Sequence, residues 1–292
     1  MRIGIDLGGT KIEAVAMDDG GDILYRQRTP TPRDNYAVIL RAIADLVERV
    51  ETTLGQAGSI GIGTPGAASA VDGRMKNCNT TCLNGQALQR DLEALMQRPL
   101  RLANGANCFA LSEAVDGAGQ NASSVFGVII GTGIGGGLVF SKQLHVGANA
   151  IGGEWGHNLM PGADEGRQCY CGRRDCIETY LSGAGLLQSY QRNQGCAENV
   201  QGIVADAEAG SERARAQLDD YCEKLARGLA SVVNTVDPEA IVLGGGLSNI
   251  PLLYTKVPEL WGKWVFSDQC RTQLLPACYG DSSGVRGAAW LW

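Results

Sequence analysis

The sequence has no uninterrupted apolar run as long as a membrane-spanning helix requires. Near its start, Asp6 stands where a secretion signal would need an apolar stretch. Basic residues are outnumbered, with 25 Lys and Arg against 31 Asp and Glu, a net charge of −6 and a sequence pI near 5.1. These absences argue against a membrane or secreted protein and against a general nucleic-acid surface. We therefore expect a soluble cytoplasmic protein whose ten cysteines are reduced or bound to metal.

Coiled-coil repeats, low-complexity segments and a Walker-type Gly-Lys-Ser/Thr motif are also missing. Short apolar strands instead alternate with helical periodicities, which predicts an α/β fold in two halves. The pattern loosens around residues 115–122, and we expect the boundary there. The strands are predicted at residues 3–5, 12–16, 125–130, 138–140 and 240–243, and the main helices at residues 36–54, 88–96, 109–115, 186–190 and 213–236.

Each half begins with a strand, a glycine-rich turn and a returning strand. The two turns span residues 6–11 and 131–137, and a third glycine run, residues 244–246, follows another strand. Glycine lets the backbone approach a phosphate closely and point successive N–H groups at it. A plain tight hairpin explains either turn alone, but the three together favour a nucleotide-binding site. The pattern Gly-x-Gly-x-x-Gly at residues 131–136 is no dinucleotide fingerprint, because a strand follows it instead of a helix.

Polar side chains in these turns suit a magnesium nucleotide. Thr10 and Thr132 add hydroxyl donors, and Lys11 adds a cation. Asp6 lies at the end of the first strand, where its carboxylate suits a magnesium ion held through water.

A cluster of metal-ligand residue types follows in the second half. His157, Cys169, Cys171 and Cys176 make a closed tetrahedral set, which predicts a structural zinc site without an open position for catalysis. Buried thiols or disulfides are the alternative, but the surrounding Gly, Arg and Asp residues are a poor setting for core thiols. The other seven cysteines are interpreted as unpaired thiols: Cys78, Cys82, Cys108, Cys196, Cys222, Cys270 and Cys278.

Together these motifs resemble the ROK family (repressor, open reading frame, kinase) of sugar kinases, from residues 6–11 to residues 280–289. The chain looks closest to the bacterial fructokinases that also accept mannose. The resemblance implies an actin-like ATPase fold, with two RNase H-like domains around a cleft. Residues 1–117 would form the first domain, with residues 281–292 packed back on it, and residues 118–280 the second, with the zinc loop. It also suggests a homodimer.

The implied activity is ATP-dependent phosphorylation of a hexose at the 6-hydroxyl, with fructose as first substrate and mannose as second. ATP phosphates would contact Asp6, Gly8, Gly9, Thr10, Lys11, Gly131, Thr132 and Gly133, and adenosine would contact Gly244, Gly245 and Gly246. The sugar would contact Asn104, Glu154, His157, Glu178, Gly66 and Thr81. His157 would bind zinc through one ring nitrogen and the sugar through the other. As alternatives, Asn104 fits a helix N-cap and Glu178 a helix start.

The chain departs from the family pattern at the catalytic position. The family reads Asn-Asp-Ala-Asn, and this chain reads Asn104-Gly105-Ala106-Asn107. That aspartate accepts the proton of the attacking hydroxyl, and a positioned base contributes roughly 10²–10⁴-fold. We therefore expect retained binding and much reduced turnover. An introduced substitution, a natural loss that leaves a sugar-binding sensor or pseudokinase, and a rerouted base are the three explanations. Asp175 and Cys82 also replace the Gly and Trp usual in relatives.

Overall fold

The computed structural model describes residues 1–32 and 35–292. The strands are β1 Arg2–Leu7, β2 Lys11–Met17, β3 Ile23–Pro30, β4 Ser59–Thr64, β5 Ala67–Ala68, β6 Met75–Lys76, β7 Arg101–Asn104, β8 Ser124–Ile130, β9 Ile134–Phe140, β10 Gln143–Leu144, β11 Ala240–Gly244 and β12 Gln273–Pro276. The α-helices are α1 Tyr36–Leu54, α2 Leu88–Met96, α3 Gly105–Val115, α4 Glu178–Leu181, α5 Gly183–Arg192, α6 Val200–Glu208, α7 Glu212–Val236, α8 Leu252–Trp261 and α9 Ser283–Ala289. Short 3₁₀ helices span Thr81–Leu83, Trp155–His157, Gly246–Asn249 and Gly280–Ser282.

Two sheets share one topology. In the part of the chain that the structure describes, the first sheet runs β3-β2-β1-β4-β7 and the second runs β10-β9-β8-β11-β12. In each sheet the first three strands are antiparallel, and the other two extend the sheet in parallel. Both glycine-rich turns therefore occupy the same place in their sheets, between the central strand and its antiparallel neighbour. The predicted α/β class is confirmed.

Most predicted elements are present, and several are longer than predicted. Helices α1 and α2 have the predicted bounds, whereas α3 begins at Gly105 instead of residue 109. Asn104 caps α3, because its side chain accepts a hydrogen bond from the backbone N–H of Asn107 at 2.8 Å. Strand β3 was not predicted, since its largely polar sequence alternates half-buried and exposed side chains at the edge of the first sheet.

The last helix, α9, packs against the first sheet. A Cβ atom at Gly4 would lie 2.1 Å from the carbonyl oxygen of Val285, and one at Gly61 would lie 1.9 Å from that of Ala288. Glycine in β1 and β4 therefore allows the helix backbone to approach the sheet closely. We propose residue 117 as the domain boundary and assign residues 281–292 to the first domain on the strength of this packing.

The buried carboxylate of Glu113 bonds to both segments that connect the two sheets, the segment after α3 and the segment before α9. Glu113, near the end of α3, accepts hydrogen bonds from the backbone N–H of Ala118 at 2.9 Å, the N–H of Cys278 at 3.0 Å and the hydroxyl of Ser283 at 2.7 Å. Arg286 is also buried, beside Asp116 and against the ring of Tyr279. These contacts give both residues a structural explanation.

Within residues 1–32 and 35–292, no helix has the length and apolar character needed to cross a membrane. All ten cysteines have free thiols in this same part of the chain. The cytoplasmic location, the homodimer and the absence of a nucleic-acid partner stay predictions.

Candidate active site

The four predicted zinc ligands converge. One ligand atom from each of His157, Cys169, Cys171 and Cys176 lies within 4.8 Å of all the others. The Sγ of Cys169 is 3.7 Å from Nδ1 of His157, and the Sγ atoms of Cys171 and Cys176 are 3.6 Å apart. For Zn–S bonds of about 2.3 Å and Zn–N bonds of about 2.0 Å, the edges of a tetrahedron measure about 3.8 Å between sulfurs and about 3.5 Å from sulfur to nitrogen. The residues present therefore fit a closed zinc site.

The thiols of this cluster differ in acidity. A hydrogen bond from the backbone N–H of Arg173 lowers the pKa of the Cys171 thiol to about 7. Burial raises the pKa of the Cys176 thiol to about 12. A divalent cation would favour the thiolate at both positions, since a coordinating thiol is deprotonated.

The 3₁₀ helix that carries His157 is anchored in a hydrophobic core through Trp155. The indole of Trp155 is buried, packs edge-on against Phe126 at 6.1 Å, and donates a hydrogen bond to the carbonyl of Gly228 in α7 at 3.2 Å. Backbone pairing of Leu159 with Cys176 then sets the spacing between His157 and the last cysteine. His157, a predicted sugar contact, is thus held on one side by the packing of Trp155 and on the other by the pairing of Leu159 with Cys176.

Asn104 and Glu154 meet at the predicted sugar position. The Nδ2 of Asn104 donates a hydrogen bond to Oε1 of Glu154 at 3.3 Å, while the Oδ1 of Asn104 caps α3. Asn104 is therefore a helix cap, and its contact with the sugar stays a prediction. A Cβ atom at Gly105 would meet only the carbonyl oxygen of Thr64, at 4.0 Å. A Cβ atom at this position, next to Asn104, would therefore meet no close contact.

Glu178 connects the zinc loop to the second glycine-rich turn. Its Oε2 accepts a hydrogen bond from the backbone N–H of Ile134 at 2.8 Å, and a Cβ atom at Gly133 would lie 2.7 Å from the same oxygen. Glu178 also begins α4, as the alternative interpretation expected, and its contact with the sugar stays a prediction. Thr132, Tyr170 and Glu178 line one cleft of about 280 Å³.

The turn that contains Gly131 is fixed by backbone hydrogen bonds. The N–H of Gly131 bonds to the carbonyl of Gly133 at 3.0 Å, and the carbonyl of Gly131 accepts from Gly183 at 2.8 Å. The second turn is thus closed on itself and joined to the start of α5.

The first glycine-rich turn is closed in a similar way. The N–H of Gly8 bonds to the carbonyl of Lys11 at 3.0 Å, and the carbonyl of Gly8 accepts from the hydroxyl of Thr31 at 2.7 Å. The carbonyl of Thr10 accepts from the N–H of Thr31 at 3.0 Å. A Cβ atom at Gly9 would lie 3.6 Å from the hydroxyl of Thr80, so this turn borders the segment that contains Thr81.

The surroundings of Asp6 disfavour the ionised form of its carboxyl group. Burial, reinforced by the negative charge of Glu13, raises the pKa of Asp6 to about 6, and Lys11 opposes this shift. A cation beside the carboxylate would remove the cost of ionisation. The charge balance at Asp6 therefore fits the predicted magnesium ion.

Packing explains three of the remaining glycines. A Cβ atom at Gly66 would lie 2.4 Å from the carbonyl of Lys76, one at Gly244 would lie 2.4 Å from the ring of Phe109, and one at Gly245 would lie 2.5 Å from the carbonyl of Ile130. Gly246 borders open space. The contact with Ile130 places the third glycine run beside the second turn, as a shared nucleotide site requires.

Two site residues were not predicted. Tyr170 lies between two zinc ligands, and its hydroxyl is 3.0 Å from Nε2 of His157. Asp175 has a φ of 53°, the left-handed region that favours glycine. Its carboxylate accepts from the hydroxyl of Tyr180 at 2.5 Å and from the N–H of Arg167 at 2.8 Å, which explains why an aspartate is tolerated there. No sequence pattern singled out Tyr170, because its contact with His157 depends on how the loop folds.

A model of the ROK family matches residues 2–292. The chain belongs to the ROK family. Two relatives, both N-acetyl-D-glucosamine kinases, are each 40% identical over 100% of this chain: that of Escherichia coli O127:H6 (strain E2348/69 / EPEC), of which 99% is covered, and that of Yersinia pseudotuberculosis serotype IB (strain PB1/+), of which 98% is covered. These relatives are not fructokinases, so the fructokinase type expected from the sequence is not confirmed.

Solved ROK structures share the fold. A ROK hexokinase from Thermus thermophilus has a TM-score of 0.88 and 32% identity, with 99% of this chain and 96% of that chain covered. A ROK glucokinase from Streptomyces griseus, solved with glucose and AMPPNP, has a TM-score of 0.78 and 28% identity, with 99% and 98% covered. The actin-like ATPase fold expected from the resemblance is confirmed.

Proposed function

We propose that this chain binds a hexose and ATP with magnesium in one cleft, as an ATP-dependent sugar kinase that phosphorylates the 6-hydroxyl. The observation that carries the proposal is the contact of Glu178 with the backbone N–H of Ile134. This hydrogen bond joins the carboxylate proposed for the sugar to the turn proposed for the phosphates. A site that transfers a phosphoryl group to a sugar needs this proximity, because the transfer depends mainly on positioning.

The proposed sugar contacts are of two chemical kinds, carboxylates and an imidazole. Glu154 and Glu178 offer acceptors for sugar hydroxyls, and His157 offers a ring nitrogen that the zinc loop orients. Asn104 holds Glu154 in place through the 3.3 Å hydrogen bond. Zinc would be held by His157 and the three cysteines, and it would stabilise the loop without taking part in the reaction.

The proposed reaction leaves one proton without a base. Oxygen 6 of the sugar forms a bond to the γ-phosphorus while the bond from that phosphorus to ADP breaks, and the hydroxyl proton must leave. An aspartate at position 105 would accept it, whereas Gly105 has no side chain to do so. We expect turnover to be lower by roughly 10²–10⁴-fold for this reason.

We propose N-acetyl-D-glucosamine as the first sugar to test, ahead of fructose and mannose. The support is the 40% identity over the whole chain to kinases of that sugar. Carboxylates and an imidazole bind hydroxyls of any hexose, and selectivity then depends on the geometry of individual hydrogen bonds. The rates of ADP formation with N-acetyl-D-glucosamine, fructose and mannose, measured under the same conditions, rank the three sugars as substrates.

The test of the proposed function is Gly105→Asp, with Gly105→Asn as its matched control. The two side chains have nearly the same size and shape, but only aspartate has a carboxylate that can accept the proton. We expect ADP formation to rise by about 10²–10⁴-fold in the aspartate variant and to stay low in the asparagine variant. An equal rate for Gly105→Asp and the unchanged chain would contradict the proposal.

A non-catalytic sugar sensor is the second candidate, and Gly105 favours it. A sensor retains binding and needs no base. Calorimetry of the unchanged chain with N-acetyl-D-glucosamine measures this binding directly. If the unchanged chain binds the sugar and Gly105→Asp still forms no ADP, the sensor is the better description.

A further inference from the structure

Tyr170 is an exposed aromatic residue at the proposed sugar position. It is 79% exposed, and it lies between the buried Cys169 and the exposed Cys171. Its ring meets the imidazole of His157 edge-on, with 5.2 Å between ring centroids and an angle of 83°. Its hydroxyl lies 3.0 Å from Nε2 of His157. Tyr170 is too exposed to be held by core packing, so packing does not account for its contact with His157.

The two nitrogens of His157 are both engaged. Nδ1 faces the thiol of Cys169 at 3.7 Å, and Nε2 meets the hydroxyl of Tyr170. Each ring nitrogen makes one hydrogen bond in the ring plane. A sugar hydroxyl and the phenol hydroxyl of Tyr170 offer the same donor and acceptor chemistry, so both cannot occupy Nε2 together.

Tyr170 also has space to leave this position. It lines the cleft of about 280 Å³ that extends along Thr132, Glu178 and Gln188. An exposed side chain changes rotamer rapidly, so the ring of Tyr170 can turn outward to solvent, away from the cleft proposed for the ligands, without disturbing the core. Release of the contact with His157 therefore requires only a side-chain movement.

We propose that Tyr170 is a sugar-site residue whose hydroxyl occupies Nε2 of His157 until a sugar hydroxyl replaces it. This inference rests on the proposed function, because it assumes that His157 binds the sugar. The exchange lowers the apparent affinity for sugar, since each binding event must break one hydrogen bond within the protein. It also selects for sugars with a hydroxyl placed to satisfy the vacated nitrogen.

The test is sugar binding by Tyr170→Phe, which keeps the ring and removes the competing hydroxyl. Calorimetry with N-acetyl-D-glucosamine, and with fructose in parallel, measures this binding without ATP, so no phosphoryl transfer interferes. We expect the Kd of Tyr170→Phe to fall by roughly two- to tenfold, the range that corresponds to one net hydrogen bond. Tyr25→Phe is the matched control: it removes a hydroxyl bonded to Gln27 at 2.6 Å in the first sheet, and its Kd should not change.

A second measurement separates exchange from a damaged loop. Zinc content is determined for each variant, and Tyr170→Leu replaces Tyr170→Phe if the latter holds less than one equivalent. An unchanged or higher Kd in a variant with full zinc overturns the exchange and leaves the proposed function standing. If the unchanged chain binds neither sugar, the proposed function fails, and the exchange fails with it.

Discussion

Glu178 accepts a hydrogen bond from the backbone N–H of Ile134, at 2.8 Å, across 44 residues of sequence. The first residue of α4 thereby touches the start of β9, immediately after the turn at residues 131–133. We therefore expect a change at the proposed sugar position to affect the proposed phosphate turn through this one contact. Four predictions follow from this contact and from its surroundings.

We expect Glu178→Gln and Glu178→Ala to differ in nucleotide binding. The glutamine variant keeps an acceptor for Ile134 but loses the charge, so sugar affinity should fall about tenfold or more while affinity for an ATP analogue is kept. The alanine variant leaves the N–H of Ile134 without its partner, and both affinities should fall. Calorimetry with sugar and with the analogue measures the two effects. Equal nucleotide binding in both variants would show that the contact does not couple the two ends.

Removal of zinc should abolish sugar binding before the rest of the fold is lost. Cys171→Ser removes one of the four ligands, so we expect lower zinc content, a lower Tm and weaker sugar binding. Cys196→Ser is the matched control, because Cys196 is an exposed thiol outside the cluster. Zinc content by atomic absorption and calorimetric binding check the pair. Full zinc content in Cys171→Ser would refute the ligand set.

Binding of the magnesium nucleotide should weaken as the pH falls through about 6. Burial and the charge of Glu13 raise the pKa of Asp6 to about 6, so the carboxylate gains its proton there. Without a bound cation, the stability of the fold depends on pH with the opposite sign to nucleotide binding. The native state binds more protons than the unfolded chain between pH about 4 and about 6, so the raised pKa makes stability fall as the pH rises through this window. Calorimetry with an ATP analogue and Mg²⁺ across this range measures the binding.

Asp6→Asn is the companion variant in that experiment. Its nucleotide binding should be weak at every pH and should show no step near pH about 6, because the titrating group has been removed. A step of the same size in both proteins would assign the titration to another group.

Asp175→Ala should destabilise the protein more than Asp175→Gly. Both substitutions remove the acceptor for the hydroxyl of Tyr180 and for the N–H of Arg167. Only alanine also keeps a Cβ atom at a φ of 53°, where glycine is unstrained. Urea denaturation should therefore give midpoints in the order unchanged chain, glycine variant, alanine variant. A higher midpoint for alanine than for glycine would contradict the assignment of strain.

Sequence patterns within short segments predicted those helices that depend mainly on residues of the same segment. Helices α1 and α2 have the predicted bounds because their apolar spacing is regular and α1 has the caps Asn35 and Gly55. The apolar pattern of α3 starts four residues after the helix itself, since Gly105 is a poor helix former, whereas the interpretation of Asn104 as an N-cap indicated the earlier start correctly. Strand β3 was missed, because an edge strand buries too little to show an apolar alternation.

The sequence by itself determined the family, the α/β class, the two glycine-rich turns, the His and Cys residues that could hold a metal ion, and the glycine at the position where the family has an aspartate. These features are local, since spacing along a short segment brings their residues together. Tertiary structure alone decided which segments meet: Glu178 with Ile134, Asn104 with Glu154, Tyr170 with His157, and α9 with the glycines of β1 and β4. Such contacts depend on the packing of two sheets and their connections, and no periodicity along the chain encodes them.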